Sequence, residues 1–547
     1  LVAAKGVSTI TGVDCGPMLK RGESLKVAAT RRGCANARVF YKFWQGSNVR
    51  YNVPNNDIGS VEHAIVERVF CVKKDGVYQR PPANVADNTR LDKFTSELTN
   101  HLGSLSPCSS NEFCERYGGN KRKMYDAAAL SLQERPLEWE DSKINAFTKA
   151  EYLKPGGCPR IIQPRKPRYN LSLGRYLSPN EHRILEGVNH VFRERFSATH
   201  SSVAKGQNLK ERGKTIASMW ARYDDPVSIG LDAARYDQHI NELLQMKEHG
   251  IYTTLFSGSE ISSIPLKTML KWQRRNSCKW TGAEGKIKYK TKGCRMSGDM
   301  NTSLGNILIM TMLWYTYLDE NKYNASIFND GDDTCVICER KTANKIIKNV
   351  EDYFREFGIT MVVEGISNTL EEIVFCQCSP VFDGNQYYLC PSPHKRCFSD
   401  LVTMKDMKSP KLFNLQLGAI AACGLASNGN TPILNSMYKQ IGSGVELYIP
   451  DKHHHMYRFR QELIDGLTPI FETPTWSHRI SFYFAFGITP NDQILIEKYY
   501  SNLPRLRHVH LNEYDIAGHN IPAHLASLEP TLKSSTELTG GTFLPMW

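Results

Sequence analysis

The chain of 547 residues has no long apolar run. Its longest, Ile307 to Leu318, falls short of the ~20 residues that cross a bilayer and has no membrane signal beside it. No transmembrane segment and no signal peptide are expected. There is no low-complexity tract and no internal repeat, so repeat architectures and disordered scaffolds are set aside. The 15 cysteines form no regular framework. They are scattered, mostly inside apolar stretches, which favours a reducing, intracellular setting. Cys335 and Cys338 have metal-type spacing, but on a strand they point to opposite faces, which argues against zinc. Cys376 and Cys378 share a face without a second ligand pair. Acid is in short supply: 56 Asp and Glu stand against 68 Lys and Arg, a net charge of +12. That excess suits a polyanion, most simply nucleic acid. The chain begins at Leu1 rather than Met, as expected of the downstream part of a longer product.

What is present is a folded composition, 41% hydrophobic and 23% charged, with enough chain for two to four subdomains. Two stretches carry the chemistry. Leu231-Asp232-Ala233-Ala234-Arg235-Tyr236-Asp237 follows a strand-like run from Val227. In Asn329-Asp330-Gly331-Asp332-Asp333, the last four residues form the turn of a hairpin with arms 325–329 and 334–338. Carboxylates at the ends of neighbouring strands can converge on one point, and hard divalent cations take oxygen ligands there. Two such ions about 3.5–4 Å apart can stabilise both the attacking and the leaving oxygen of a phosphoryl transfer. Asp232 and Asp332 are the expected ligands, with Asp333 close by. Asp330 is expected to serve the turn.

A third stretch, Ser297 to Asn306, opens a long helix. Thr302 and Asn306, four apart, project from one face. With Asp237 they can hydrogen-bond a ribose 2′-hydroxyl. Between 147 and 168, two extended arms around Pro155-Gly156-Gly157 align Lys149, Lys154, Arg160, Arg165 and Arg168, a set suited to a triphosphate. Tyr117 to Lys123 reads as a loop offering backbone donors and cations to a phosphate backbone, or else as an ordinary solvated turn. Val69 to Val72 and Val77-Tyr78 flank a hairpin turn at Asp75-Gly76. Ser178, Pro179 and Glu181 spell a helix start with a capping box. Helical patterns run over 240–275, 341–357 and much of the chain beyond 400. A basic stretch occupies Arg274 to Lys292, and a further hairpin is expected from Phe375-Cys376-Gln377-Cys378 to Tyr387-Tyr388-Leu389.

Taken in order, these elements resemble the viral RNA-dependent RNA polymerases, nearest to those of the tombusvirus family with its luteovirus and umbravirus relatives. The likeness covers about 90–400. It implies a mixed α/β right-hand fold of fingers, palm and thumb, with fingertips closing onto the thumb. The corresponding spans are an N-terminal extension over 1–89, fingers over 90–225 and 263–296, palm over 226–262 and 297–399, and thumb with a tail over 400–547. It further implies catalysis by Asp232, Asp332 and Asp333 with Mg²⁺ (Mn²⁺ may substitute), and contacts to the incoming nucleotide from Asp237, Ser297, Thr302, Asn306, Lys149, Arg160 and Arg168. Tyr117, Gly118, Lys121, Arg122, Gly298, Phe375 and Cys376 are expected against RNA. The general acid is sought near 341–350, with Lys345 and Lys348 as candidates. Implied partners are single-stranded RNA template, nascent RNA, NTPs and a viral auxiliary replication protein, in membrane-associated replication complexes of the infected cell's cytoplasm. Primer-independent initiation is expected too, with Tyr448 and Tyr457 as stacking candidates. A reverse transcriptase would share the acids but not need Asp237 and Asn306. A non-catalytic RNA-binding scaffold would keep the charge but not need all the acids. His453 to His455 reads as a solvated loop.

Overall fold

The computed structural model describes residues 2–30, 33–43, 51–74, 76–259, 261, 264–405, 407, 409–450, 464–506 and 508. The chain mixes helices and strands around a four-stranded sheet in the order Ala325–Asp330, Asp333–Glu339, Pro226–Ala233, Met361–Ser367, antiparallel throughout. Alternation decides which side chains go where. Val227, Ile229, Leu231 and Ala233 face the helices Thr302–Asn321 and Arg340–Glu356, as do Val336 and Cys338 from the next strand. Cys335 and Ile337 enter a separate apolar cluster on the other face, with Phe328, Ile216 and Phe375. The two cysteines do point to opposite sides, as period-two alternation requires. On Thr302–Asn321 every residue from Leu304 to Leu318 is buried. Its apolar run therefore belongs to a core helix. Among the described residues no helix is long and apolar enough to cross a membrane.

The basic stretch 274–292 is a hairpin, Arg275–Gly282 with Gly285–Lys292, in a second sheet with Ser24–Ala29 and Ile144–Asn145. Its buried side, with Cys278, Trp280, Ile287 and Tyr289, packs on the helix Ile58–Ile65. A third sheet joins Val2–Lys5, Val39–Lys42 and Val402–Thr403, so the N-terminal residues reach the region after 400. There Pro410–Asn428, Leu434–Ile441, Trp476–Phe486 and Pro490–Asn502 build a core with Phe43, Val381 and Tyr388.

Four local expectations change. Ser178 still closes the helix Pro167–Leu177, its N–H donating to Gly174 O at 2.9 Å. The next helix starts at Glu181, which is ion-paired with Lys205 rather than closing a capping box. Tyr117 to Lys123 is not a loop throughout, because the helix Gly119–Glu134 starts inside it. Val69 and Phe70 lie in a wide helical turn, Val66–Phe70; the hairpin arms are Val72–Lys74 and Val77–Gln79. The helical stretch 240–275 is two helices, Glu242–Leu255 and Leu266–Gln273. Tyr457 and His453 to His455 lie outside the described residues, and Tyr448 is half-buried.

Candidate active site

Strand register brings the acids together. Asp333 is the direct cross-strand partner of Asp232 and also of Asp330. Directly opposed residues share a face, so these three carboxylates lie on the side away from the core helix, with Cβ atoms of opposed pairs about 4.5–5.5 Å apart. Asp332 sits in the two-residue turn between them. Gly331 has φ +88°, as the first central position of a tight hairpin of this kind requires. The turn is locked from inside by Asn329, which is fully buried. Its Nδ2 donates to Gly331 O (2.9 Å), Asp333 O (3.1 Å) and Thr334 Oγ1 (2.8 Å), while its Oδ1 accepts from Gly331 N at 3.1 Å. Asp330 is occupied by Arg212, Nη1 to Oδ2 at 2.8 Å, while the turn itself is held by Asn329.

The other acids have no such partner. Among the described residues no Lys, Arg or His nitrogen lies within 4.0 Å of the carboxylates of Asp232, Asp332 or Asp333. Burial holds Asp232 above the usual carboxylate range. Asp332 is pushed up to about 6, first by desolvation and then by Asp237, with Arg160 opposing. Its side chain is exposed to the cleft, so water offsets part of that desolvation, while the neighbouring carboxylates keep the direction upward. Asp333 is held well above the normal range by burial, then by Asp332 and Asp232. Glu364 was not anticipated. It follows Val362, the partner of Asp232, at an irregularity between Val363 and Gly365. Desolvation, then Asp232, raises its carboxyl too. All four line one cleft. Oxygen donors that repel one another without a cation are the donor set of a hard divalent ion. The residues present fit Mg²⁺.

The opposite wall is built by the segment 295–306. Asp237 Oδ1 accepts from Asn306 Nδ2 at 2.8 Å, and Ser297 Oγ donates to Asp237 Oδ2. Asn306 is held by Arg295 Nε at 3.0 Å, and Arg295 is paired with Glu248 where neither side chain is exposed. Asp237 and Asn306 meet as the sequence reading grouped them, and Ser297, expected from the resemblance, joins them. Thr302 also lines the cleft, but its hydroxyl is engaged by its own turn, with Asp299 O at 2.9 Å. Gly298 has φ +119°, and a Cβ there would stand 3.2 Å from Pro164 N, so the loop rests on the segment 163–165. Arg165 holds that loop through Asp299 at 2.5 Å, fully buried.

The 147–162 hairpin forms, with Phe147–Thr148 paired to Ile161–Ile162. Arg160 and Lys154 line the cleft. Lys149 pairs with Glu151 at 3.0 Å, and desolvation lowers its pKa. Arg168 is a correction. It sits on the next helix, bonded to Asp141, Ser131 and the carbonyls of Arg135 and Pro136, and has no access to a triphosphate. Phe375 is another: its ring is buried on Phe328, centroids 5.1 Å apart. Cys376, at φ +49°, does line the cleft. Tyr117 packs with Phe113 and Tyr125 beneath Lys121, whose Nζ is 4.2 Å from the Tyr117 ring centre. Gly118 caps the helix, and Arg122 faces Asp126 at 3.7 Å. None of these four lines the cleft. Lys345 and Lys348 are on the exposed side of Arg340–Glu356, away from the acids; Glu351 and Arg355 of that helix face the cleft.

Carboxylates gathered on adjoining strand ends, facing a polar wall and a cationic hairpin across a cleft, define a class of site that handles polyphosphates. The comparisons narrow the class. The family model described as viral RNA-dependent RNA polymerase matches residues 26–508. The chain is 35% identical over 470 residues to the RNA-directed RNA polymerase of Tobacco necrosis virus (strain A), covering 83% of this chain and 62% of the relative. Against that of Pothos latent virus it is 34% identical over 468 residues, covering 84% and 61%. Against that of Panicum mosaic virus it is 33% identical over 475 residues, covering 84% and 47%. The chain belongs to the viral RNA-dependent RNA polymerase family, in line with the tombusvirus resemblance. It spans less than two thirds of the length of these relatives.

Proposed function

We propose that the chain is an RNA-directed RNA polymerase that copies a positive-strand RNA virus genome and its complement, starting without a primer. The observation that carries this is the register pairing of Asp232 with Asp333 beside the Asp332 turn, facing Asp237, Ser297 and Asn306. The reaction is attack of a 3′-hydroxyl on the α-phosphate of an NTP, with pyrophosphate leaving. Two Mg²⁺ ions held by Asp232, Asp332 and Asp333 would supply charge stabilisation at the attacking and leaving oxygens. The rest is positioning by the chain itself. Asp237, oriented by Asn306 and Ser297, accepts from the ribose 2′-hydroxyl. Arg160 and Lys154 face the triphosphate, and Lys149 backs them through Glu151. Cys376 and Gly298 line the path of RNA, and Tyr117, Gly118, Lys121 and Arg122, at the start of the helix Gly119–Glu134, meet RNA outside the cleft.

In this reading 226–262 and 297–399 form the palm, 90–225 and 263–296 the fingers, and 400–547 the thumb and tail. Residues 1–89 bridge fingers to thumb; pairing of Val39–Lys42 with Val402–Thr403 supports that closure. The partners are template and nascent RNA, NTPs and a viral auxiliary protein, in membrane-associated complexes of the host cytoplasm. The test is labelled nucleotide incorporation on short single-stranded RNA without primer, with Mg²⁺ or Mn²⁺, comparing ribo- and deoxynucleotides and Asp332→Ala. Template-length product from ribonucleotides, lost in Asp332→Ala, is expected. Product only with a primer removes the initiation claim. No incorporation with RNA binding intact favours the scaffold reading.

A further inference from the structure

One cluster of metal-binding side chains stands apart from the carboxylates. His63 and Glu67, one turn apart on the helical segment Ile58–Phe70, meet Cys158 from the Arg160 hairpin. One ligand atom from each lies within 4.8 Å of the others. His63 Nε2 is 3.1 Å from Glu67 Oε1. We propose that His63, Glu67 and Cys158 form a zinc site that ties the N-terminal helix to the hairpin bearing Arg160.

Four observations support it. The donors are imidazole, carboxylate and thiol, a mixed set that selects a borderline ion such as Zn²⁺ over Mg²⁺. The imidazole is already oriented: Nδ1 is 3.0 Å from Thr9 Oγ1, which leaves Nε2 to face the other ligands. Metal-bound histidines are usually held through the second ring nitrogen in this way. The carboxylate is fixed as well, by Tyr78 OH on Oε1 at 2.6 Å and by Arg235 Nη2 on Oε2 at 3.4 Å. Finally, His63 and Glu67 are buried, while Glu67 and Cys158 also line the cleft, so the cluster is enclosed but has an entry path. Three protein ligands leave a fourth position for water, as in other incompletely closed zinc sites. Binding would release the thiol proton and any imidazole proton, so affinity rises with pH.

The site would give the N-terminal residues a defined task. Thr9, His63, Glu67 and Tyr78 all come from the first 80 residues, and Cys158 lies two residues before Arg160. A metal here would fix the hairpin's tip relative to the cleft without entering the reaction.

Cobalt titration of metal-stripped full-length protein tests the assignment. One thiolate-bound Co²⁺ per chain is expected, beside any taken up by the cleft carboxylates, with a near-ultraviolet thiolate-to-cobalt absorption band that titrates to one equivalent. Cys158→Ser should abolish the band, and Asp332→Ala should keep it. Thr9→Val leaves all three ligands in place and should weaken zinc affinity about 10-fold. The purified protein should hold about one zinc by elemental analysis, lost in Cys158→Ser with the far-ultraviolet circular dichroism unchanged. Absence of the band in wild type, or its persistence in Cys158→Ser, overturns the proposal.

Discussion

Replacing Gly305 with alanine sets two physical effects against each other. Helix propensity favours the change, since alanine in a helix interior is worth about 1 kcal/mol over glycine. The surroundings oppose it. A Cβ on Gly305 would run into Glu248 Oε1 and stand 2.6 Å from Arg295 Nη2. Both side chains have 0% exposure. Glu248 cannot swing aside, because Oε1 also accepts from Asn301 Nδ2 at 2.6 Å and Tyr252 OH at 3.0 Å, while Oε2 holds Arg295. Disrupting a buried pair and stranding one charge costs about 3–5 kcal/mol. The net expectation is a loss of about 2–4 kcal/mol, opposite in sign to the propensity scale. Arg295 also holds Asn306 at 3.0 Å, so nucleotide incorporation and ribose selectivity should decline together. Urea unfolding followed by tryptophan fluorescence checks the first part, since Trp314 is buried in the same helix. A midpoint for Gly305→Ala equal to or above wild type would refute the reasoning and leave helix propensity in command.

Arg212→Met strands Asp330 next to the other acids and should destabilise the protein by about 3–5 kcal/mol. Adding Asp330→Asn should recover most of that; a double variant as unstable as the single one would mean that the ion pair is not what matters. In metal-free protein the raised Asp332 carboxyl costs no stability below its ordinary pKa, and a small amount of stability is lost as pH rises through about 6, small because the side chain is exposed to the cleft. In incorporation Mg²⁺ competes with the proton for this carboxylate, so the acid limb of the rate should move to lower pH as Mg²⁺ is raised; a limb that stays put would contradict this. Lys288 lies directly between Lys26 and Lys279 on the exposed face of the second sheet. Lys288→Thr should raise the melting temperature at low salt, by the few tenths of a kcal/mol that opposed like charges cost, and 1 M salt should erase the gain. A drop in melting temperature would show that the lysine stem packs rather than repels.

Local rules carried the sequence reading as far as neighbours along the chain could speak. The strand to Asp232, the Asp330–Asp333 turn, the core helix and the 147–162 hairpin all stand where alternation, turn chemistry and apolar runs put them. The failures have physical causes that the local pattern does not show. Arg168 follows Arg160 and Arg165 in a basic run, but a helix begins at Pro167 and turns it onto Asp141. The resemblance puts Phe375 against RNA, yet Phe328 from the strand before the turn claims its ring. Ser178 carries the right residue for a cap, but the preceding helix has already used its N–H. Ser178 was taken by Gly174 only four residues back, whereas for Arg168 and Phe375 a partner distant in sequence decided the outcome.

That partner is also what separates acids which look alike in sequence. Asp330, Asp332 and Asp333 fall within four residues, and nothing local distinguishes them. The fold does, by what it places opposite each. Asp330 meets Arg212 from a helix more than a hundred residues earlier and is neutralised. Asp237 is satisfied by Asn306 and Ser297. Asp299 is satisfied by Arg165. Asp232, Asp332, Asp333 and Glu364 receive no cation from the described chain; desolvation raises all four carboxyls, and other carboxylates add to it at Asp332, Asp333 and Glu364. A folded protein keeps such a group only where a ligand or a conformational constraint offsets its repulsion. Glu364 enters by this criterion although no motif names it, and Asp330 leaves by the same criterion although it stands inside one.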